Sequence, residues 1–208
     1  MRTLVFSLLT AVLLVGLLST MGCIRLEGRT GRETRFYLLS ATAEKTESAK
    51  IPEMVNESIV GVGPFSLPEY LNRSQIVFRK DSHQVELSSF HHWAEPLEEN
   101  FARVLASNMG RQISEIQWLL FPWKIESVLD YRIQGEVLHF EGQRNGTVVL
   151  EVHWFLMSSD GQVELQNLSR FEVAVEGGEA ADVVVAMSQA VADLSRDIAR
   201  TIAVSLRM

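Results

Sequence analysis

Between Ser127 and Val175, apolar and polar residues alternate, and two tight-turn signals interrupt the alternation. Leu129, Tyr131, Ile133 and Val137 fall on one side of an extended chain, with Asp130, Arg132, Gln134 and Glu136 on the other. After Asn145-Gly146 the pattern resumes through Val148, Leu150, Val152, Trp154 and Leu156, with Glu151 and His153 opposite. Asp160-Gly161 then leads into a run through Leu165, Phe171 and Val173. A period of two broken by such turns predicts three antiparallel strands with one covered face. That face needs a cover.

Two amphipathic segments supply it. Pro96 suits a first helical position, Glu98 and Glu99 complement the positive helix end, and Gly110 is a natural stop. Leu97, Phe101, Val104, Leu105 and Met109 share one face of this helix, while Glu99 and Arg103 are spaced to pair on another. Past Gly177-Gly178, a second helix runs from Glu179 to about Leu206. Its stripe is Val184, Met187, Val191, Leu194, Ile198 and Ile202, leaving Asp193, Arg196, Asp197 and Arg200 outside. The expected fold class is α+β: a mostly antiparallel sheet with two amphipathic helices packed on one face.

Further strands come earlier. Arg35 to Leu39, Ile59 to Val62, Gln75 to Arg79 and Gln84 to Leu87 are β-prone, the last two joined through Asp81-Ser82. Between them, Pro64 and Pro68 exclude a helix at Leu67. The stretch Ala41 to Ser58, rich in Ala, Glu, Lys, Ser and Thr, reads as an exposed loop.

The amino terminus has a different character. Arg2 precedes a run from Leu4 to Leu18 that is apolar except for Ser7, Thr10 and Gly16, and Gly22 stands before Cys23. A positive start, an apolar run of about fifteen residues and a small residue at the cut form a secretory signal peptide over residues 1–22. The run falls short of the roughly 20 residues that span a bilayer. A cysteine at the first mature position resembles the lipobox of bacterial lipoproteins, although Thr20 stands where that motif usually has Leu. By that resemblance Cys23 is the lipidation site, carrying acyl chains such as palmitate. Residues 23–33 form a lipidated tether, and residues 34–208 a single α+β domain. The Ile24 that follows Cys23 points, by the same resemblance, to the outer membrane rather than inner-membrane retention.

Charge and cysteine usage narrow the remainder. The full chain carries −7, and the leader removes only the positive charge of Arg2. An acidic chain has no electrostatic footprint for nucleic acid. Cys23 is the only cysteine, so its lipidation leaves no thiol for a disulfide, a redox pair or a metal site. The histidines, His83, His91, His92, His139 and His153, show no ligand spacing; adjacent His91 and His92 point opposite ways in extended backbone. Ser66 lacks the glycine frame of a nucleophile elbow, and Glu95, Glu98 and Glu99 are explained by the helix start. The expectation is a protein that is not an enzyme, with no catalytic residue, no metal and no cofactor. Trp93, Trp118, Phe121 and Trp123 lie near turns and element ends. They either close the edges of the core or offer a surface to a partner protein or acyl chain.

Several blocks together carry a family resemblance. Phe36-Tyr37-Leu38-Leu39, Val62-Gly63-Pro64 through Leu67-Pro68-Glu69-Tyr70-Leu71-Asn72-Arg73, Trp93-Ala94-Glu95-Pro96-Leu97, and Phe121-Pro122-Trp123 before Asp130-Tyr131-Arg132 follow one another in the pattern's order. The chain resembles ABC-type transport auxiliary lipoproteins of the PqiC/YmbA kind. That resemblance implies a non-enzymatic docking or binding subunit of an intermembrane lipid transport system. Its partner would be an MCE-domain protein, and its lipid anchor would hold it to the periplasmic face of the outer membrane. Whether copies also form a homo-oligomer stays open. Pro64, Leu67, Pro68, Tyr70, Arg73 and Trp93 are the candidate partner contacts, the other reading being that prolines and Tyr70 fix a structural turn. The alternative function is an outer-membrane structural or assembly lipoprotein binding a barrel or the cell wall.

Overall fold

The computed structural model describes residues 33–42, 58–114 and 116–205. The leader, Cys23, the tether up to Arg32 and residues 43–57 of the expected loop lie outside the described residues. In chain order the strands are β1 (Arg35–Tyr37), β2 (Ile59–Ser66), β3 (Gln75–Arg79) and β4 (Val85–Trp93), followed by helix α1 (Leu97–Gln112). Then come β5 (Gln117–Leu120), β6 (Tyr131–Gly142), β7 (Thr147–Ser158), β8 (Val163–Ala174) and helix α2 (Ala180–Ser205).

The meander read from the alternation is present. β6, β7 and β8 pair antiparallel over nearly their whole length, with Ile133 opposite Leu156 and Val152 opposite Ser169. Asn145 adopts the positive φ that a tight hairpin demands, and the second turn places Gly161 there. Val148, Leu150, Val152, Trp154 and Leu156 are all buried on one face. The two helices contact each other, and both pack on the sheet. Phe101 stacks edge-on between Phe65 and Phe140 at centroid distances of 5.5 and 5.4 Å, a favoured aromatic geometry. Among the described residues the fold is α+β, an eight-stranded, mostly antiparallel open sheet with two helices.

The half built from earlier strands differs from the meander. β2 runs parallel to both β6 and β5, and β1 runs parallel to β4. β3 and β4 form an antiparallel hairpin that reaches β6 only at Phe78, opposite Gly142. β4 continues to Trp93, well past the expected end at Leu87, because after a register shift it still pairs with β3 at Gln75 while β1 pairs on its other side. The short strand β5 lies inside the aromatic stretch that the sequence placed only near turns.

Three local readings are corrected. α1 does not stop at Gly110 but runs to Gln112, whose side-chain amide donates to Ser195 Oγ of α2 at 3.2 Å. Tertiary contact there outweighs the roughly 1 kcal/mol cost of glycine within a helix. Arg103 pairs with Glu95 upstream of the helix, not with Glu99. Asp197 is not simply an outer-face charge. The indole N–H of fully buried Trp154 donates to Ser169 Oγ at 3.0 Å, and that hydroxyl donates to Asp197. A relay of two hydrogen bonds thus ties β7, β8 and α2 together and satisfies the buried indole.

The relay separates two aspartates that look alike in the sequence. Asp197→Ala strands Ser169 and is expected to cost about 1–2 kcal/mol. Asp193→Ala removes a surface pair with Arg196 and a hydrogen bond from the solvent-accessible Gln189 amide and is expected to cost under about 0.5 kcal/mol. Urea denaturation of the two variants measures the contrast, and equal midpoints would remove the relay from the account.

Candidate docking site

β6 shares one of its edges between two strands. β2 occupies the first half, from Val60 opposite Tyr131 to Ser66 opposite Glu136, and β3 touches the far end. The segment Leu67–Ser74 crosses the gap between them, folded around a 3-10 turn at Glu69–Leu71. Pro68 cannot donate a ladder hydrogen bond, which suits a segment leaving a strand. Leu71 is buried, and it anchors the crossing to the core.

At the end of β6, a bulge between Val137 and His139 breaks the alternation. Beyond it Phe140 and Gly142 take the helix-facing side, and Glu141 on the other face is covered by Tyr70 and Arg79, its side chain only 4% exposed. The Tyr70 hydroxyl donates to Glu141 Oε2 at 2.7 Å, Arg79 Nε donates to Oε1 at 3.0 Å, and the Phe140 N–H donates to Oε2 at 2.9 Å. Arg79 Nη2 forms a second contact to Oε1, and His139 Nδ1 lies 3.3 Å from the same oxygen. Burial alone would raise the Glu141 pKa, but hydrogen bonds from Tyr70, Arg79 and Phe140 and the Arg79 charge hold it below its ordinary value. Burial and the Glu141 carboxylate push the Tyr70 hydroxyl upward, so it stays a donor. The hydrogen bond to Glu141 likewise strengthens the Arg79 cation.

The residues singled out in the sequence therefore divide. Tyr70 and Trp93 face inward: Tyr70 is committed to Glu141, and Trp93 is a buried core residue. Leu67 and Pro68 are half-buried, while Pro64 and Arg73 reach solvent. Glu141 escaped sequence reasoning, since nothing local marks an acid 71 positions from its tyrosine. Its neighbour Phe140 ended the readable alternation.

A groove opens beside Pro64. β2 shifts register between Val62 and Phe65, and Gly63 takes φ 104°, which glycine alone adopts at little cost. A side chain at Gly63 would meet Phe121 Cβ at 3.0 Å, so that glycine also lets the β5 end approach. The Phe121 N–H donates to Val62 O at 2.9 Å. Pro64, Leu120, Phe121 and Pro122 form one wall, and Glu95, Glu98 and Glu99 at the start of α1 form the other. The space between measures about 390 Å³. Phe121 stays 43% exposed although its ring packs edge-on against Trp123.

The other tryptophans close edges. Trp123 lies over Gly61, where a side chain would meet its ring at 2.6 Å, and its N–H donates to Leu119 O at 3.0 Å. Trp118 donates to Ile113 O at 3.1 Å. With Arg103 engaged by Glu95, the groove offers apolar surface edged by Glu98 and Glu99. A second, polar depression of about 360 Å³ lies around Arg79, His139 and Arg170. Its two arginines are both paired, Arg79 with Glu141, and Arg170 with Glu151 and Glu172. Among the described residues, no three His, Cys, Asp or Glu side chains are grouped to hold a metal ion.

The lock at Glu141 has a pH signature. A carboxyl held below its ordinary value adds stability above that value and loses it as pH falls through the folded pKa. Glu141→Gln should cost about 1–3 kcal/mol near neutrality by leaving Arg79 poorly matched. The gap from wild type should narrow as pH is lowered below 4.5, the ordinary value. Urea midpoints across that acid range measure it, and a gap independent of pH would contradict the depressed pKa.

Comparison with known proteins adds to the geometry. A family model described as "ABC-type transport auxiliary lipoprotein component" matches residues 37–199. Among solved structures, one titled only as an uncharacterized protein is 21% identical, with a TM-score of 0.67 over 82% of this chain and 99% of that one. Protein XCC0632 from Xanthomonas campestris is 14% identical, with a TM-score of 0.66 over 83% of this chain and 97% of that one. At these identities the two structures show the fold alone. None of the curated proteins compared matches. The family model covers most of the chain, strand β6, helix α1 and most of α2 included, and on that ground the chain belongs to the ABC-type transport auxiliary lipoprotein component family.

Proposed function

We propose that the protein is a non-enzymatic docking subunit of an MCE-type, ABC-transporter-linked system that moves lipids between membranes. Acyl chains on Cys23 hold it to the periplasmic face of the outer membrane. The folded body receives an MCE-domain protein, with the groove beside Pro64 as the contact. The family match supports an auxiliary role in transport and a lipoprotein character. The observation that carries the docking reading is the groove itself: Phe121 stands 43% exposed beside Pro64 and Pro122 on strand ends that the core holds in place. Aromatic side chains at the centre of a patch are the usual anchors of protein contacts. Pro64 lines this groove, Leu67, Pro68 and Arg73 follow it along the same segment, and Tyr70 holds that segment to Glu141.

Crosslinking in cells, gentle detergent extraction and mass spectrometry test this reading. An MCE-domain protein should accompany the wild type. Phe121→Asp should lose a hot spot worth at least about 2 kcal/mol, which lowers recovery more than roughly tenfold while leaving the fold intact. Recovery of only barrel or cell-wall components would sink the proposal and favour the structural alternative.

A further inference from the structure

We infer that a second surface, the outer-face row Phe36, Leu87 and Val85 at the β1–β4 margin, seats on the bilayer that carries the Cys23 anchor. The inference rests on the reading of Cys23 as the lipidated residue. The register places the three side chains together. Phe36 lies opposite His92, His92 opposite Gln75, Leu87 opposite Val77 and Val85 opposite Arg79. Directly opposed residues project from the same face of a sheet, and so do alternate residues of one strand. Phe36 is 67% exposed and Leu87 43%. The strand residues paired into the row are Gln75, Val77, Arg79 and His92, none of them an acid; the one carboxylate that touches them, Glu141, is buried and paired with Arg79.

What covers this row follows from where the chain attaches. From Cys23 to Arg35 the chain spans at most roughly 40 Å even when fully extended. Arg25, Arg29, Arg32 and Arg35 outnumber Glu27 and Glu33 in that stretch, which suits phospholipid phosphates. Because β1 is parallel to β4, Arg35 is the residue of β1 nearest the Val85 end of β4. Among the described residues, no strand pairs with the Val85–Ser89 part of β4 on the side that β1 occupies further along. The amino-terminal end of the described body and its apolar row therefore coincide. Apolar side chains that enter the headgroup region beside basic ones add to the hold of the acyl chains.

The test uses the full-length lipidated protein, reconstituted into phosphatidylethanolamine–phosphatidylglycerol vesicles. Cys23 is the only cysteine and its thiol is consumed by the anchor, so Phe36→Cys and Leu87→Cys can each be labelled alone with an environment-sensitive fluorophore. Leu168→Cys on β8 and Val185→Cys on α2 are the comparators, at positions 56% and 67% exposed. Labels at 36 and 87 should shift to the blue and lose most of their emission to lipids spin-labelled near the headgroup, while those at 168 and 185 should not change. Equal quenching at all four positions overturns the inference. So does no quenching at 36 and 87 while the protein still floats with vesicles. Protection at 36 and 87 that needs a second copy and not lipid would assign the row to self-association and overturn it too. A soluble protein with an unmodified amino-terminal Cys23 peptide would overturn the anchor reading itself, and the membrane seat with it.

Discussion

One strand edge cannot pair continuously with two strands unless something fills the place where they part. β6 meets this constraint with a carboxylate. Its edge holds β2 and then, past a bulge, the tip of the β3–β4 hairpin. Glu141 stands at the transition and gathers Tyr70 from the crossing segment and Arg79 from β3. A buried ion pair of this kind is a weak contributor to net stability, because the cost of desolvation offsets much of the attraction. Its other use is to favour one arrangement of neighbouring elements over others of similar energy. Apolar residues at the junction would tolerate sliding of the hairpin, whereas Tyr70, Arg79 and the Phe140 N–H reach one carboxylate together only in one register.

The meander and the two helices were legible in the sequence because their signals are local. Asn145-Gly146 and Asp160-Gly161 mark turns that their own backbone requires, and Val148 through Leu156 display a period that survives reading in isolation. The parallel half was not legible in the same way. Pairing of Val60 with Tyr131, or of Phe36 with His92, joins residues far apart in the chain and leaves no mark at either site. β5 was hidden for a related reason: Gln117–Leu120 is short and its role as a strand exists only beside β2. Family resemblance pointed to the Pro64–Arg73 block, yet it could not say which of those residues face water. The structure divides them by burial, with Tyr70 drawn inward by an acid in another strand and Pro64 turned out by a register shift.

The two exposed apolar surfaces also differ in what surrounds them. The groove is edged by Glu98 and Glu99 at the start of α1, where the helix dipole already favours acids. The Phe36–Leu87–Val85 row instead has Arg79 and His92 as its cross-strand neighbours. Arg79 is already paired with Glu141, so an anionic bilayer surface would be repelled by the first and not by the second. A protein partner with basic side chains among its apolar ones would discriminate in the opposite sense. An acidic chain held to a membrane by acyl chains gains from this division, because the anchor supplies attachment and local charge then selects which face turns to the lipid.

The polar lock and the groove are linked through seven residues of backbone. Gly63 and Pro64 form the groove wall, and Tyr70 is fixed to Glu141 a few positions later. The half-buried Leu67 and Pro68 between them have little freedom, since Leu67 packs on the core and proline fixes its own φ. On the same wall, Phe121 is held by its N–H to Val62 and by the ring of Trp123, which itself lies on Gly61 of β2. Both strands of that wall are thus referred to β2, and β2 is referred to β6. A surface fixed in this way is ordered before any partner arrives, so less binding free energy goes into ordering it. Loosening Tyr70 would weaken binding at Pro64 without removing any contact made there, and its effect would fall on the ordering of the groove wall.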